Sequence, residues 1–170
     1  MNQFKNNFLS LFKISIVLNH PKYQYKSEKS LQHFEFISEG PKGLVHKIVE
    51  YTATGSENIY NLGFGDYNKE SGSINDLSIT NNGDSFKVLA TVASTVYAFI
   101  EKYPKAWIFA TGSTNARTRL YRMGITNNLA EIQKDFKIFG LTIEENNWEE
   151  FIVGEDYDAF LITKKENYVD

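Results

Sequence analysis

Between Asp84 and Pro104 the chain carries apolar residues at Phe86, Leu89, Val92, Ala93, Val96 and Ile100, a helical period closed by a proline. A run of about 20 residues between a capping side chain and a helix stop is too long for a strand. The β-branched Thr91, Val92, Thr95 and Val96 therefore do not overturn the helix. Asp84 is the expected N-cap. Val88, Ala90, Tyr97 and Phe99 widen the apolar stripe, so the helix is expected to be buried over much of its circumference and packed on a sheet.

Strand-like segments precede and follow it. Residues 34–39 and 44–52 are apolar and β-branched runs joined by Gly40-Pro41-Lys42-Gly43, whose residue types suit a hairpin turn. Residues 59–66 and 74–80 read as two more strands separated by a polar, glycine-containing stretch, which makes an antiparallel meander of four. After the helix come a short core strand at 107–110 and a second helix at 114–123 with Gly124 as its stop. A further helical turn or two at 129–136 and strands at 136–143 and 159–163 close the chain. The expected class is α+β or α/β, a mixed and mostly antiparallel sheet with the element order β-β-β-β-α-β-α-β-β.

The chemistry concentrates in residues 107–125, WIFATGSTNARTRLYRMGI: a core strand, a tight polar turn and a helix carrying three arginines and a tyrosine. A helix that follows a core strand aims free backbone N–H groups and partial positive charge beside the sheet, which suits an anion. Arg117 and Tyr121 share one helix face, whereas Arg119 and Arg122 share another, so the three arginines cannot all face one ligand. Two readings stay open. Arginines on a solvated face pair with the acidic connector around Glu149 and Glu150; alternatively Arg117, the Ser113 hydroxyl and the helix start hold an anion.

With 170 residues, 42% apolar and 15% aromatic, the chain has enough material for one sizeable core. A net charge of −3 gives no global attraction to nucleic acid or anionic lipid, so such a partner requires a local basic patch. With no cysteine, disulfides, thiol nucleophiles and thiolate metal sites are excluded, which accords with a cytoplasmic setting. Residues 1–20 are expected to be an extension to a single domain over 21–170. Their apolar run, 8–18, is broken by Lys13 and too short to span a bilayer.

Other constellations fail on spacing. His20, His33 and His46 lack the short intervals of a zinc site, and no metal is expected. No Gly-x-Ser-x-Gly elbow is present. Gly63-Phe64-Gly65-Asp66 has no following helix and so is no dinucleotide fingerprint; a bulge or turn is the expected use of its glycines. Asp66 and Asp76 are expected at turns or strand ends.

The runs FEFISEGPKG (34–43), NLGFGDY (61–67), NNGDSFKVLATVASTVY (81–97) and GSTNARTRLYRMGI (112–125) resemble the hallmarks of a small bacterial family that carries no known activity. The order of elements is similar to that of the GCN5-related N-acetyltransferases without the two helices those enzymes usually place after their first strand. In that superfamily a glycine-rich loop before the long central helix holds the pyrophosphate of acetyl-CoA. The corresponding loop here is short, keeps only Gly83, and puts Asp84 where a diphosphate would approach. The resemblance also places Leu120-Tyr121 where such enzymes often have a leucine-tyrosine pair whose tyrosine protonates the CoA thiolate. Packing of the ring with a hydrogen-bonded hydroxyl is the other use of Tyr121.

The leading expectation is a non-catalytic or regulatory binding module on an acetyltransferase-like scaffold, recognising an anionic ligand or a protein or nucleic-acid partner. The candidate ligand-binding residues are Asn82, Gly83, Ser113, Thr114, Arg117, Arg119 and Arg122, with Lys102 and Lys105 as further basic residues. No cofactor is expected under it, and no membrane. The alternative is an acyl-CoA-dependent N-acyltransferase, with Tyr121 as the catalytic acid and acetyl-CoA as cofactor.

Overall fold

The structure, a computed structural model, describes residues 21–75, 80–142, 144 and 146–168. The extension expected at 1–20 and most of the strand expected at 74–80 lie outside them. The described strands are β1 (Tyr25–Ser27), β2 (His33–Gly40), β3 (Gly43–Ala53), β4 (Ile59–Asn68), β5 (Ser73–Asn75), β6 (Trp107–Thr111), β7 (Phe136–Thr142), β8 (Trp148–Glu150) and β9 (Tyr157–Lys164). Helix α1 (Ser85–Lys102) stands between β5 and β6, and α2 (Asn115–Asp135) between β6 and β7. All nine strands join one sheet in the order β1-β2-β3-β4-β6-β9-β7-β8, with β5 paired to β4. The β4–β6 pairing is parallel and the other described pairings are antiparallel, giving an α+β fold with a mostly antiparallel open sheet.

Alternation along the strands sets the buried face. Phe34, Phe36, Val49, Tyr51, Leu62 and Phe64 point to one side, where α1 and α2 cover them, and Phe99, Ile100, Ile108 and Phe160 complete a core with no exposed surface at those four. Tyr51 stacks on Phe99 with ring centroids 4.1 Å apart and shares a hydrogen bond with the Thr95 hydroxyl at 2.8 Å, which ties α1 to the middle of the meander. Burial pushes the Tyr51 phenol far above its ordinary range.

Three expectations need correction. Helix α2 does not stop at Gly124 but runs through it, merging the separate turn expected at 129–136. A Cβ on Gly124 would lie 3.3 Å from Leu89 Cδ2, so this glycine marks the close crossing of two helices rather than a C-cap. Asp84 precedes α1 but its side chain makes no capping bond; its carboxylate accepts from the Tyr23 hydroxyl (2.7 Å) and the Ser38 hydroxyl (2.6 Å). Gly63 and Gly65 form neither turn nor bulge, because both lie within β4, where Ile74 crosses them. Strands β1 and β8 are additions: each is three residues long, too short to show a period.

The β2–β3 hairpin is fastened by Asn82, whose Oδ1 accepts from Lys42 N–H (2.8 Å) and whose Nδ2 donates to Gly43 O (2.9 Å) and Ser38 Oγ (3.2 Å). A Cβ on Gly40 would stand 1.9 Å from Asn82 O, whereas Gly43 sits at φ +85° in open space. Gly40→Ala must displace backbone and is expected to cost more than about 2 kcal/mol, against about 1 kcal/mol of local strain for Gly43→Ala. Urea unfolding of the two variants measures the difference.

Candidate functional site

The site is organised by a parting of strands. The parallel ladder between β4 and β6 holds only Ile59, Tyr60 and Asn61 against Trp107, Ile108 and Phe109. Beyond Asn61, β4 stays paired with β3 on one side, while on the other β6 has left and β5 joins only at Asp66, which leaves residues 62–65 open on that edge. Carbonyls two residues apart on a strand point the same way, so those of Leu62 and Phe64 face the opening and need partners there.

Helix α2 supplies them. The Tyr121 hydroxyl donates to Leu62 O at 3.2 Å, and Arg117 Nη1 donates to Phe64 O at 2.6 Å while its Nη2 donates to Asn75 O on β5. The two spacings match: four helical residues rise about 6 Å, and two strand residues advance about 6.6 Å. One helix turn thus replaces one repeat of the missing strand. Both side chains are buried, Arg117 to 6% exposure and Tyr121 to 8%.

Two glycines make room for the arginine. A Cβ on Gly65 would lie 3.0 Å from both Arg117 Nη atoms and 2.6 Å from Ile74 Cγ2. A Cβ on Gly112 would lie 2.3 Å from Thr118 N and 2.6 Å from Arg117 Cβ. Thr114 caps the helix by accepting from Arg117 N–H at 3.3 Å.

The remaining arginines separate as the helical spacing implies. Arg122 pairs with Asp156 and donates to Glu155 O at 3.0 Å. Its partners are thus at the far end of the acidic connector, because Glu149 accepts from the Tyr157 hydroxyl (2.7 Å) and Glu150 pairs with Lys137. Arg119 is exposed and lines a cleft of about 380 Å³ with Thr118, Arg122, Asp156 and Asp158. Ser113 is exposed at the mouth of the turn. Lys102 ends α1 and Lys105 precedes β6, whereas the three arginines lie on α2, which follows that strand.

A second cleft, of about 250 Å³, opens between the start of α1 and the face of α2, with Thr80, Asp84 and Ser85 on one wall and Phe64, Ala116 and Leu120 on the other. At its floor lies a pair that sequence reading missed. Lys47, 2% exposed, forms an ion pair with Asp66, whose other oxygen accepts from Thr80 N–H (3.0 Å) and Thr80 Oγ1 (2.5 Å). The signal was parity: Lys47 shares its strand face with Val49 and Tyr51, and Asp66 with Leu62 and Phe64. Asn82 and Gly83 belong to the loop beside this cleft, where Gly83 turns at φ +75° and Asn82 holds the hairpin.

On the open face of the sheet, the Glu35 carboxylate lies 3.0 Å from His33 Nε2 and 3.1 Å from His46 Nε2. The hydrogen bond with His33 outweighs the opposing effect of burial and, with a smaller contribution from His46, holds the Glu35 carboxyl below its ordinary range. Among the described residues no group of three or more His, Asp or Glu side chains is arranged to hold a metal ion.

A family model, described as a family of unknown function (DUF6934), matches residues 19–165. The chain belongs to that family. No curated protein and no solved structure matches it. Among the described residues of this family member, no helix is long and apolar enough to cross a membrane.

Loss of Arg117 strands two carbonyls, and each hydrogen bond to a charged donor is worth about 1.5–3 kcal/mol. Arg117→Met is expected to cost about 3 kcal/mol or more, and Arg117→Lys to recover little of it, because an ammonium cannot span two carbonyls as a planar fork does. Tyr121→Phe, which loses one neutral bond, is expected to cost about 1 kcal/mol. Denaturant unfolding measures all three. A depressed carboxyl stabilises the fold above the ordinary carboxylate pKa, and that contribution is lost as pH falls through the folded-state value. His33→Gln is accordingly expected to raise the Glu35 titration midpoint in carbon-detected NMR.

Proposed function

We propose that this member of DUF6934 is a non-catalytic binding module on an acetyltransferase-like scaffold. The order of elements and the parallel pair β4–β6 at the centre of a mostly antiparallel sheet support the scaffold. The observation that carries the non-catalytic reading is the use made of Arg117 and Tyr121: both polar ends donate to backbone carbonyls of β4, inside the fold. A phenol that protonates a leaving thiolate must aim its proton at the substrate, and this one aims it at Leu62 O.

Recognition then falls to the exposed start of α2. Arg119 presents its guanidinium beside the helix start, next to the ion-paired Arg122, in the cleft of about 380 Å³. A planar fork at an exposed edge suits a carboxylate or phosphate carried by a ligand or a partner chain. Asp156 and Asp158 line the same cleft and select against bulky polyanions, which favours a single anionic group flanked by donors.

Calorimetric titration of the protein with acetyl-CoA and longer acyl-CoAs is expected to give no heat of binding; micromolar binding with acyl transfer to an amine would overturn the reading. Partner or ligand capture from a lysate is expected to be lost in Arg119→Glu while the melting temperature stays within a few degrees. Capture unchanged in that variant would remove Arg119 from the recognition surface.

A further inference from the structure

The face of the sheet away from α1 and α2 differs between its two halves. A strand with one wet face alternates apolar and polar residues, whereas a strand covered on both faces is a near-continuous apolar run. Strands β2 and β3 follow the first rule, with His33, Glu35, His46 and Glu50 on the open face. Strands β6 and β9 follow the second, as Trp107-Ile108-Phe109-Ala110 and Ala159-Phe160-Leu161-Ile162. Ile108 and Phe160 point into the core, so Phe109 and Leu161, which are partners across the two strands, point away from it. Phe139 on β7 is the other partner of Leu161 and continues the row.

Aromatic rings tile this half. Trp107 stacks on Phe139 with ring centroids 6.2 Å apart, Tyr168 lies 5.1 Å from Phe139, and Trp148 on β8 reaches Phe109 at 6.3 Å. Trp148 and Tyr168 are 38% and 37% exposed, while Trp107, Phe109 and Leu161 are half-buried. Both tryptophans of the chain therefore stand on one open face. Strands patterned for two covers have helices on one side only among the described residues, and an apolar sheet face calls for a second layer.

The charge on this half selects the layer. Among the described outward positions of β6, β9, β7 and β8 only Lys137 and Glu150 are charged, and they form an ion pair with each other. A nucleic acid meets one cation already neutralised, and a charged partner chain meets nothing to match. A two-fold contact sets a patch against its own copy, which is repulsive for a charged patch and free of repulsion for this one. Four strands about 4.8 Å apart and about five residues long give a footprint of roughly 19 Å by 17 Å. Two such faces bury on the order of 1,000 Å² once side-chain relief is counted, which is the lower bound for a specific interface. We propose that the chain forms a two-fold dimer by stacking the aromatic halves of two sheets face to face, with Leu161 near the axis and both helical layers outside.

Sedimentation velocity of the full chain over a concentration series is expected to show a monomer–dimer equilibrium with a dissociation constant on the order of 10 μM. Tryptophan emission is expected to move to the blue with the same midpoint, because Trp107 and Trp148 are the only tryptophans and both enter the contact. Leu161→Glu and Leu161→Lys each set like charges against each other across the axis and are expected to weaken the dimer at least tenfold. An equimolar mixture of the two is expected to associate at least tenfold more tightly than either alone. Trp148→Lys changes an exposed position outside the core and is expected to weaken the dimer severalfold, with the melting temperature of dilute protein within a few degrees of the parent. A monomer at every concentration, a dimer that leaves the emission unmoved, a mixture no tighter than its components, or a dimer of parental strength in Trp148→Lys would each overturn the proposal. None of these outcomes bears on the acyl-CoA titration or on Arg119, so the two readings fail separately.

Discussion

A strand that loses its neighbour part-way along leaves carbonyls with no partner, and β4 is such a strand. It is paired on both sides through Asn61, then only with β3 over residues 62–65, because β6 diverges and β5 joins the free edge only at Asp66. The chain instead turns the first half of α2 toward the gap and donates from Arg117 and Tyr121, whose spacing along the helix fits the spacing of the carbonyls along the strand. Several other choices follow from this one. Gly65 clears the path of the guanidinium, Gly112 admits the backbone and Cβ of Arg117 at the start of the helix, and β5 is held through the Asn75 carbonyl. The Thr114 cap fixes where the helix begins, and hence which residues face the strand.

That constraint also explains which parts of the molecule the sequence discloses. The long helix between Asp84 and Pro104, the hairpin at Gly40 to Gly43 and the alternating strands are local patterns, and they appear in the fold with small changes of boundary. The exceptions arise where a local signal serves a distant contact. Gly124 has the look of a helix stop and is a crossing point against Leu89; Asp84 has the look of a cap and is the acceptor for Tyr23 and Ser38. Glycine and aspartate are read by rule as punctuation, yet both are also the residues used for close approach and for multiple hydrogen bonds.

The candidate site was legible in its location and less so in its roles. Helical spacing placed Arg117 with Tyr121 and apart from Arg119 and Arg122, and the structure keeps that division. What spacing cannot tell is whether a buried arginine meets an anion or two carbonyls, because both satisfy the same fork. The Lys47–Asp66 pair was visible in principle as two charged residues on the buried parity of adjacent strands. Its consequence is a buried, mutually neutralised pair beside the cleft at the start of α1.

The central claim, that Arg117 and Tyr121 act as a surrogate for the strand that β4 has lost, is tested most directly by amide hydrogen exchange in Arg117→Met. The account predicts a local effect: protection falls at residues 62–66 and in the first two turns of α2, while β2, β3 and the second half of α1 keep their protection relative to the global stability. Exchange that stays unchanged at 62–66, or that rises evenly over the whole sheet, would contradict it.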